Sequence, residues 1–452
     1  MKTRFWNLKP NYMTKRYIYI ATLLLLFSGL NISAQQMLTK HDALRIVMEN
    51  NFDVVLSEEQ LKIAETNTSI FNSGYLPTLS GNAGITYNID NLNVERQDGS
   101  VIETTNAKSD SHNAGLNLNY VLFNGFSRKY NLERNKELLN QGQLNMRATL
   151  EATILTLFQS YYGVARSQHN VENLQETLVI SKERLRRMQY GYEYGRNSRL
   201  DVSNAEVDVN TDSINLLNAK QNLANSKRDL NFILGQPANT VINVDTTLQF
   251  NGLVNRDELH ASMQTESVQI LIANSNIAAN RSATKATQGG YYPTLSLNGS
   301  YSYRRGNNND ASFTAANTSS GFSYGASLSW NLFDGGSTRT NEQVAKINEN
   351  ISQIGLEQTK NQLEVDFENA WGDYQNKLFV VQAQEANLQT NRQNFERSVE
   401  QYKLGQLTSI DFRTAQRNLL TAEVSLTQAK YDAKIAELVL LQLAGRIQEA
   451  DF

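Results

Sequence analysis

Short phrases recur at a constant distance along this 452-residue chain. "LFNG" at Leu122–Gly125 returns as "LFDG" at Leu332–Gly335, and "YEYG" at Tyr192–Gly195 as "YKLG" at Tyr402–Gly405. "LDVSNA" from Leu200 returns as "IDFRTA" from Ile410, and "ILG" from Ile233 as "LAG" from Leu443. Each offset is 210 residues. A fifth pair, "YLPTLS" around Pro77 and "YYPTLS" around Pro293, is 216 apart, so the first half carries six extra residues between its strands. The chain reads as a tandem duplication, and internal repetition decides architecture before any motif does. Residues 35–235 form the first repeat, 236–252 a link, 253–445 the second repeat and 446–452 a tail. Each repeat reads as helix, strand, polar loop, strand, long helix, glycine turn and shorter helix.

The strands alternate with period two. Leu79, Ala83, Ile85, Tyr87 and Ile89 share one face, against Ser80, Asn82, Thr86 and Asn88. Leu116, Leu118, Tyr120 and Leu122 oppose Asn113, Asn117 and Asn119. Leu295, Leu297, Tyr301 and Tyr303 oppose serines and Asn298, and Phe322, Tyr324, Leu328, Trp330 and Leu332 oppose Ser323, Ser327, Ser329 and Asn331. One such strand fits any half-buried sheet. Four of them, about ten residues long and aromatic on the apolar face, match transmembrane barrel strands. Four strands cannot close a barrel, and an open sheet in lipid leaves backbone groups unpaired. Several chains must then share one barrel. Two would give eight strands, whose side chains fill the lumen; the small inward residues argue for a wider lumen and more chains.

The long helices keep a seven-residue repeat. Leu150, Leu157, Val164, Val171, Leu178, Leu185 and Tyr192 form one line, and Phe367, Tyr374, Val381, Leu388, Phe395 and Tyr402 its counterpart. The phase survives duplication because 210 is a multiple of seven. Beside them runs a small-residue line, Ala415, Ala422, Ala429 and Ala436. Such a repeat predicts left-handed supercoiling with closely approaching helices. A helix of about 68 residues spans roughly 100 Å, and two helices of about 35 residues per half, stacked end to end, would match it.

Lys15 and Arg16 precede the apolar run Tyr17–Leu30, which ends in small residues at Ser33 and Ala34. At 14 residues the run is short for a membrane span, which needs about 20. Residues 1–34 therefore read as a cleaved secretory signal rather than an anchor, with Met13 an alternative start. Without its five basic residues the mature chain holds 37 basic and 45 acidic side chains, net −8, a poor nucleic-acid binder. There are no cysteines, which excludes disulfides and thiolate sites. The four histidines, His41, His112, His169 and His260, are scattered without metal-site spacing. No phosphate loop or nucleophile elbow is present. The reading therefore holds no catalytic, cofactor or metal residues.

Taken together, "YLPTLS" and "YYPTLS", "LFNGF" and "LFDGG", and "YEYGRNSRLDVSNA" and "YKLGQLTSIDFRTA" resemble the TolC-like outer-membrane efflux proteins. The resemblance covers nearly the whole mature chain. It implies a mixed α+β membrane protein: a homotrimer whose chains close a twelve-stranded β-barrel in outer-membrane lipid, continued through the periplasm by a helical coiled-coil barrel. It implies an exit duct for a tripartite pump or type I secretion system, with a periplasmic adaptor and an inner-membrane RND or ABC transporter as partners. The link segment would lie in a belt around the helical barrel. Tyr192, Gly195, Asp201, Tyr402, Gly405 and Asp411 would form the periplasmic tip that meets the adaptor or closes the pore. A Tyr402–Asp201 hydrogen bond would hold it shut, with Asp411 an acidic constriction; both aspartates also read as helix N-caps. Leu407 and Thr414 replace an arginine and an aspartate found in some members, which puts a salt-bridge lock in doubt. At the barrel–helix junctions, Asn124 and Asp334 can cap helices, Gly125 and Gly335 let the chain bend, and Pro77 and Pro293 would stop the ascending helices. The alternative is a periplasm-spanning structural or adhesive stalk that conducts nothing.

Overall fold

The computed structural model describes residues 37–248 and 255–450. The signal at 1–34 and parts of the link and tail lie outside the described residues. The order is β1 (Met37–Leu38), α1 (Lys40–Asn50), α2 (Phe52–Asn67), β2 (Thr78–Glu95), β3 (Val101–Asn124), α3 (Ser127–Glu193), α4 (Arg199–Ile233) and β4 (Asn243–Val244). The second half follows with α5 (Arg256–Glu266), α6 (Val268–Thr287), β5 (Thr294–Asn307), β6 (Ala316–Ser329), α7 (Ser337–Lys403) and α8 (Ser409–Leu443). Both long helices have 67 residues and both helices after the glycine turns have 35.

The helices before the strands are broken, against the sequence expectation. Asn51 has extended ψ, and its Oδ1 accepts from the amides of Asp53 (2.9 Å) and Val54 (3.2 Å), so α2 begins afresh. Ser267 makes the matching break between α5 and α6. The breaks serve the stacking. Asn51 Nδ2 donates to the Ile233 carbonyl at the end of α4 (2.8 Å). In the other half, Arg147 Nη2 donates to the carbonyls of Glu266 (3.1 Å) and Gly445 (3.0 Å). α2 with α4, and α6 with α8, thus form two composite rods beside α3 and α7.

The core sits where the rods meet. Leu157, Phe158, Tyr161 and Tyr162, halfway along α3, pack with Leu230, Val244, Phe367, Leu438 and Leu440, all almost fully buried. The Tyr161 hydroxyl donates to the Leu38 carbonyl (2.6 Å) and accepts from the Asp245 amide (2.9 Å). It thereby ties the small parallel β1–β4 ribbon to the helices. Burial pushes its pKa up to about 12, so it remains a protonated donor. The alanine line Ala415, Ala422, Ala429 and Ala436 is buried throughout. The heptad lines are buried at Leu157, Val164, Phe367 and Tyr374 and open out towards Tyr192.

The four long strands form one antiparallel sheet in the order β2-β3-β5-β6. Their register aligns the apolar residues in rows: Leu79 with Leu118, Leu116 with Tyr301, Tyr301 with Phe322, and Leu295 with Leu328. On the other face Ser80 meets Asn117, Asn117 meets Ser300, and Ser300 meets Ser323. Most of the apolar residues are exposed in the single chain: Tyr87 by 73%, Phe322 by 84% and Tyr324 by 92%.

Three details differ from the sequence expectation. The strands have 18, 24, 14 and 14 residues, because cross-strand pairing carries the first hairpin on to Glu95 and Val101, through residues read as loop. A bulge between Val121 and Phe123 puts Phe123, rather than Leu122, in register with Leu295. Strand β6 ends at Ser329, so Trp330 and Leu332 lie beyond it, and Trp330 Nε1 donates to the Tyr291 carbonyl (3.2 Å).

At the junctions Asn124 Oδ1 accepts from the Arg128 amide (3.3 Å), and the Asp334 carboxylate accepts from the amides of Gly336 (3.0 Å) and Thr338 (2.8 Å). Gly335 has φ 69° in the turn before α7. Pro77 and Pro293 do not end the helices: α2 stops at Asn67 and α6 at Thr287, short 3-10 turns follow, and each proline directly precedes its strand. There the missing N–H costs no ladder bond. Gly125 has φ 65°, and a Cβ on it would run into the Gly289 backbone. Arg128 clamps the same corner, donating to the carbonyls of Gly74 (3.0 Å) and Leu122 (2.8 Å).

Gly125→Ala should cost about 2–5 kcal/mol from a positive φ and overpacking together, read as a lower unfolding temperature in detergent; an unchanged value would show the corner has room. Tyr161→Phe leaves the Leu38 carbonyl and Asp245 amide unpaired at about 1–3 kcal/mol each. Limited proteolysis should then cut faster within 236–248.

Candidate functional site

The two turns at the far ends of the long helices are built alike. After α3, Gly195 takes φ 72° and its amide donates to the Tyr192 carbonyl (3.0 Å), while the Arg196 amide reaches back to the Gly191 carbonyl (2.7 Å). After α7, Gly405 takes φ 74° with the matching bonds from Gly405 to Tyr402 (3.2 Å) and Gln406 to Gln401 (2.9 Å). This is the glycine C-cap, which satisfies the last carbonyls. A new helix starts three residues later. Ser198 caps α4, accepting from the Asp201 amide (3.2 Å), while the Asp201 carboxylate accepts from the Ser198 amide (2.9 Å) and hydroxyl (2.7 Å). Thr408 caps α8, accepting from the Asp411 amide (3.1 Å) and donating to its carboxylate (2.6 Å).

The aspartates are therefore the third residues of their helices rather than the N-caps; Ser198 and Thr408 are the caps. The Ser198 bonds hold the Asp201 carboxyl below its usual range. The expected Tyr402–Asp201 hydrogen bond is not made in this chain, because Asp201 is turned into its own capping box. Tyr402 instead stacks on Phe412, with centroids 4.5 Å apart and planes at 19°. Its hydroxyl makes no hydrogen bond of good geometry. Burial raises its pKa, against a smaller lowering by the adjacent Ser409 hydroxyl and the charges of Arg184 and Arg187. Tyr402 and Phe412 line one wall of a largely apolar crevice of about 290 Å³, with Val179, Arg184, Phe395 and Val399 around it. Tyr192, Tyr194, Leu200, Leu404 and Ile410 are exposed at the turns.

A polar cluster that the sequence reading missed lies just behind the turns. Arg413 on α8 grips Asp212 on α4 with both terminal nitrogens (2.6 and 2.7 Å), and its Nη1 also reaches Ser181 on α3 (3.1 Å). Arg184 on α3 pairs with Asp208 on α4 and donates to the Ser409 carbonyl of α8 (3.3 Å). Gln416 Nε2 donates to the Thr177 carbonyl (3.0 Å). The Arg413–Asp212 contact is bidentate and its carboxylate is 4% exposed; the Arg184–Asp208 contact is a single one, from a guanidinium 2% exposed to a carboxylate 29% exposed. They join the first-half helix pair to α8 of the second. The sequence held one signal. Asp212 interrupts the buried line Ala205–Asp212–Ala219, where the duplicate has Ala415–Ala422–Ala429. Among the described residues no helix is long and apolar enough to cross a membrane, and no group of acidic, histidine or cysteine side chains could hold a metal.

The chain is 24% identical over 381 residues to "Outer membrane protein TolC" of Vibrio cholerae, covering 84% of each chain. It is 23% identical over 430 residues to "Outer membrane efflux protein BepC" of Brucella suis, covering 93% of this chain and 89% of that one. Its fold matches the Campylobacter jejuni CmeC outer membrane channel with TM-score 0.73 at 17% identity, over 91% of this chain and 87% of the other. It matches the outer membrane protein VceC of Vibrio cholerae with TM-score 0.70 at 17% identity, over 90% and 96%. The sequence model of one family, "Outer membrane efflux protein", covers residues 43–236 and 261–446, one match in each half of the chain. The chain belongs to the outer membrane efflux protein family.

Proposed function

We infer that three copies of this chain form the outer-membrane exit duct of an efflux or type I secretion system. The observation that carries this reading is the open sheet. Among the described residues, strands β2 and β6 leave 18- and 14-residue edges without partners, beside an exposed apolar face. Neither edge is tolerable in lipid. Pairing β6 of one copy with β2 of the next would close twelve strands from three copies. The inward row of Ser, Asn, Thr and Gly would leave that lumen open and wet. The helices support the same assembly. Val344, Ile347, Ile351 and Ile354 form an exposed stripe at helical spacing on α7, and Phe52, Val55, Leu56 and Ile63 another on α2. A neighbouring copy would cover both, continuing the barrel as a helical tube.

In this reading Tyr192, Gly195, Asp201, Tyr402, Gly405 and Asp411 lie at the periplasmic tip, where an adaptor would dock and couple the duct to an RND or ABC transporter. Three Asp411 carboxylates would face the pore and favour cations. The Arg413–Asp212 and Arg184–Asp208 pairs would hold α8 against α3 and α4 and so keep the tip closed. Opening would be a realignment of helices. The stalk alternative finds no support among the relatives, and it would conduct no ions.

The purified protein should require detergent, run as a trimer and show small, rarely open conductance in planar bilayers. Breaking a buried charge pair costs about 3–5 kcal/mol, so Asp212→Ala should raise the open fraction about tenfold or more. Wild-type behaviour in that variant would remove the clasp from gating. Asp411→Ala should weaken cation preference. Tyr402→Phe, which keeps the stack on Phe412, should leave closure intact, whereas Tyr402→Ala should loosen it.

A further inference from the structure

The register of the central strands sorts two adjacent arginines onto opposite faces. Arg304 pairs with Asn113 and Ser319 in the polar, inward row; Arg305 pairs with His112 and Thr318 in the outward row. Lys108 shares that outward row, opposite Ile89. Both outward cations stand at one end of the apolar belt. On β3 the outward residues run Leu118, Leu116, Ala114 and then His112, Asp110 and Lys108. Belt tyrosines border the change: Tyr303 lies opposite Ala114, and the Tyr87 ring meets the His112 ring edge-on at 6.4 Å and 83°. This end points away from the helices, towards the outer leaflet if the barrel spans the membrane as proposed above.

The charges there are unequally satisfied. The Asp110 carboxylate accepts from Asn307 Nδ2 (3.2 and 3.0 Å) and meets His112 Nε2 (3.0 Å). Lys108 and Arg305 are exposed, and among the described residues their side chains have no ion pair or hydrogen bond. Four residues of strand separate Lys108 from the His112–Arg305 row, about 14 Å. That spacing, with a long side chain at each end and the Asp110 carboxylate between, suits two phosphates, one at each cation. A cation on the lipid face of a barrel belongs at the interface, where it can meet anionic headgroups.

We propose that Lys108 and Arg305 form a binding site for the phosphate-bearing headgroup of an outer-leaflet lipid, whose acyl chains lie on the belt below Tyr303. The site anchors the rim of the duct to its membrane. It rests on the barrel reading given above.

The test uses the purified mature protein and two variants that remove cations from opposite faces of the sheet. One is Lys108→Gln with Arg305→Gln; the other is Arg304→Gln, which removes a cation from the inner face of the same strand. Each is reconstituted in phosphatidylcholine vesicles containing diphosphorylated lipid A, re-extracted in detergent, and its retained lipid A measured by mass spectrometry. Wild type and Arg304→Gln should retain it, and the double variant should retain about tenfold less or lower. Excess inorganic phosphate should not displace it. Retention by the double variant equal to wild type, an equal loss in Arg304→Gln, or displacement by free phosphate would each overturn the site. Wild type that fails to enter any vesicle would instead overturn the barrel reading, and the site with it.

Discussion

A β-sheet that ends in unpaired N–H and C=O groups cannot rest in hydrocarbon, and that rule governs the rest of this molecule. Among the described residues the four-stranded sheet has two free edges, so in the proposed assembly the unit that satisfies its own backbone would be larger than the chain. The apolar outer row and the small polar inner row would then acquire definite surroundings. The tight corners under the sheet have the same origin. Gly125 against Gly289, Arg128 on two carbonyls and Asp334 on two amides convert strands into helices within a few residues.

Below the sheet the constraint changes from hydrogen bonding to packing. Two 67-residue helices set the length, and stacked helices of 16 and 35 residues, and of 20 and 35, run beside most of it. They abut at Asn51, whose side chain reaches the last carbonyl of α4, and at Ser267, where Arg147 on α3 bridges the carbonyls of Glu266 and Gly445. The aromatic core around Tyr161 sits at that seam. The midsection thus holds the largest buried cluster, with smaller ones further along the rods.

Much of this was legible from residue periodicity. The heptads and the two glycine turns survive, as does the strand alternation up to the bulge at Leu122 and the end of β6 at Ser329, because each is local. The remainder depends on partners far apart in sequence. The breaks at Asn51 and Ser267 are invisible to periodicity, since the apolar pattern runs on through them and only the capping geometry ends the helix. The polar hairpin extension to Glu95 looks like loop by composition and is strand by pairing. Asp201 was assigned to Tyr402, but Ser198 is three residues away and satisfies it first. The Arg413–Asp212 contact joins residues about two hundred positions apart. Only the charge inside an alanine line betrayed it.

The repeat length carries an implication for how such a chain can change over evolutionary time. Any insertion inside a rod rotates everything beyond it by about 100° per residue, unless it comes in sevens, so the rods are frozen in size. The surface-exposed hairpins answer to no such phase. The six surplus residues of the first half already lie there, in the longer β2 and β3 of the first hairpin, and novelty in outward appearance can accumulate at those ends while the machinery beneath keeps its pitch.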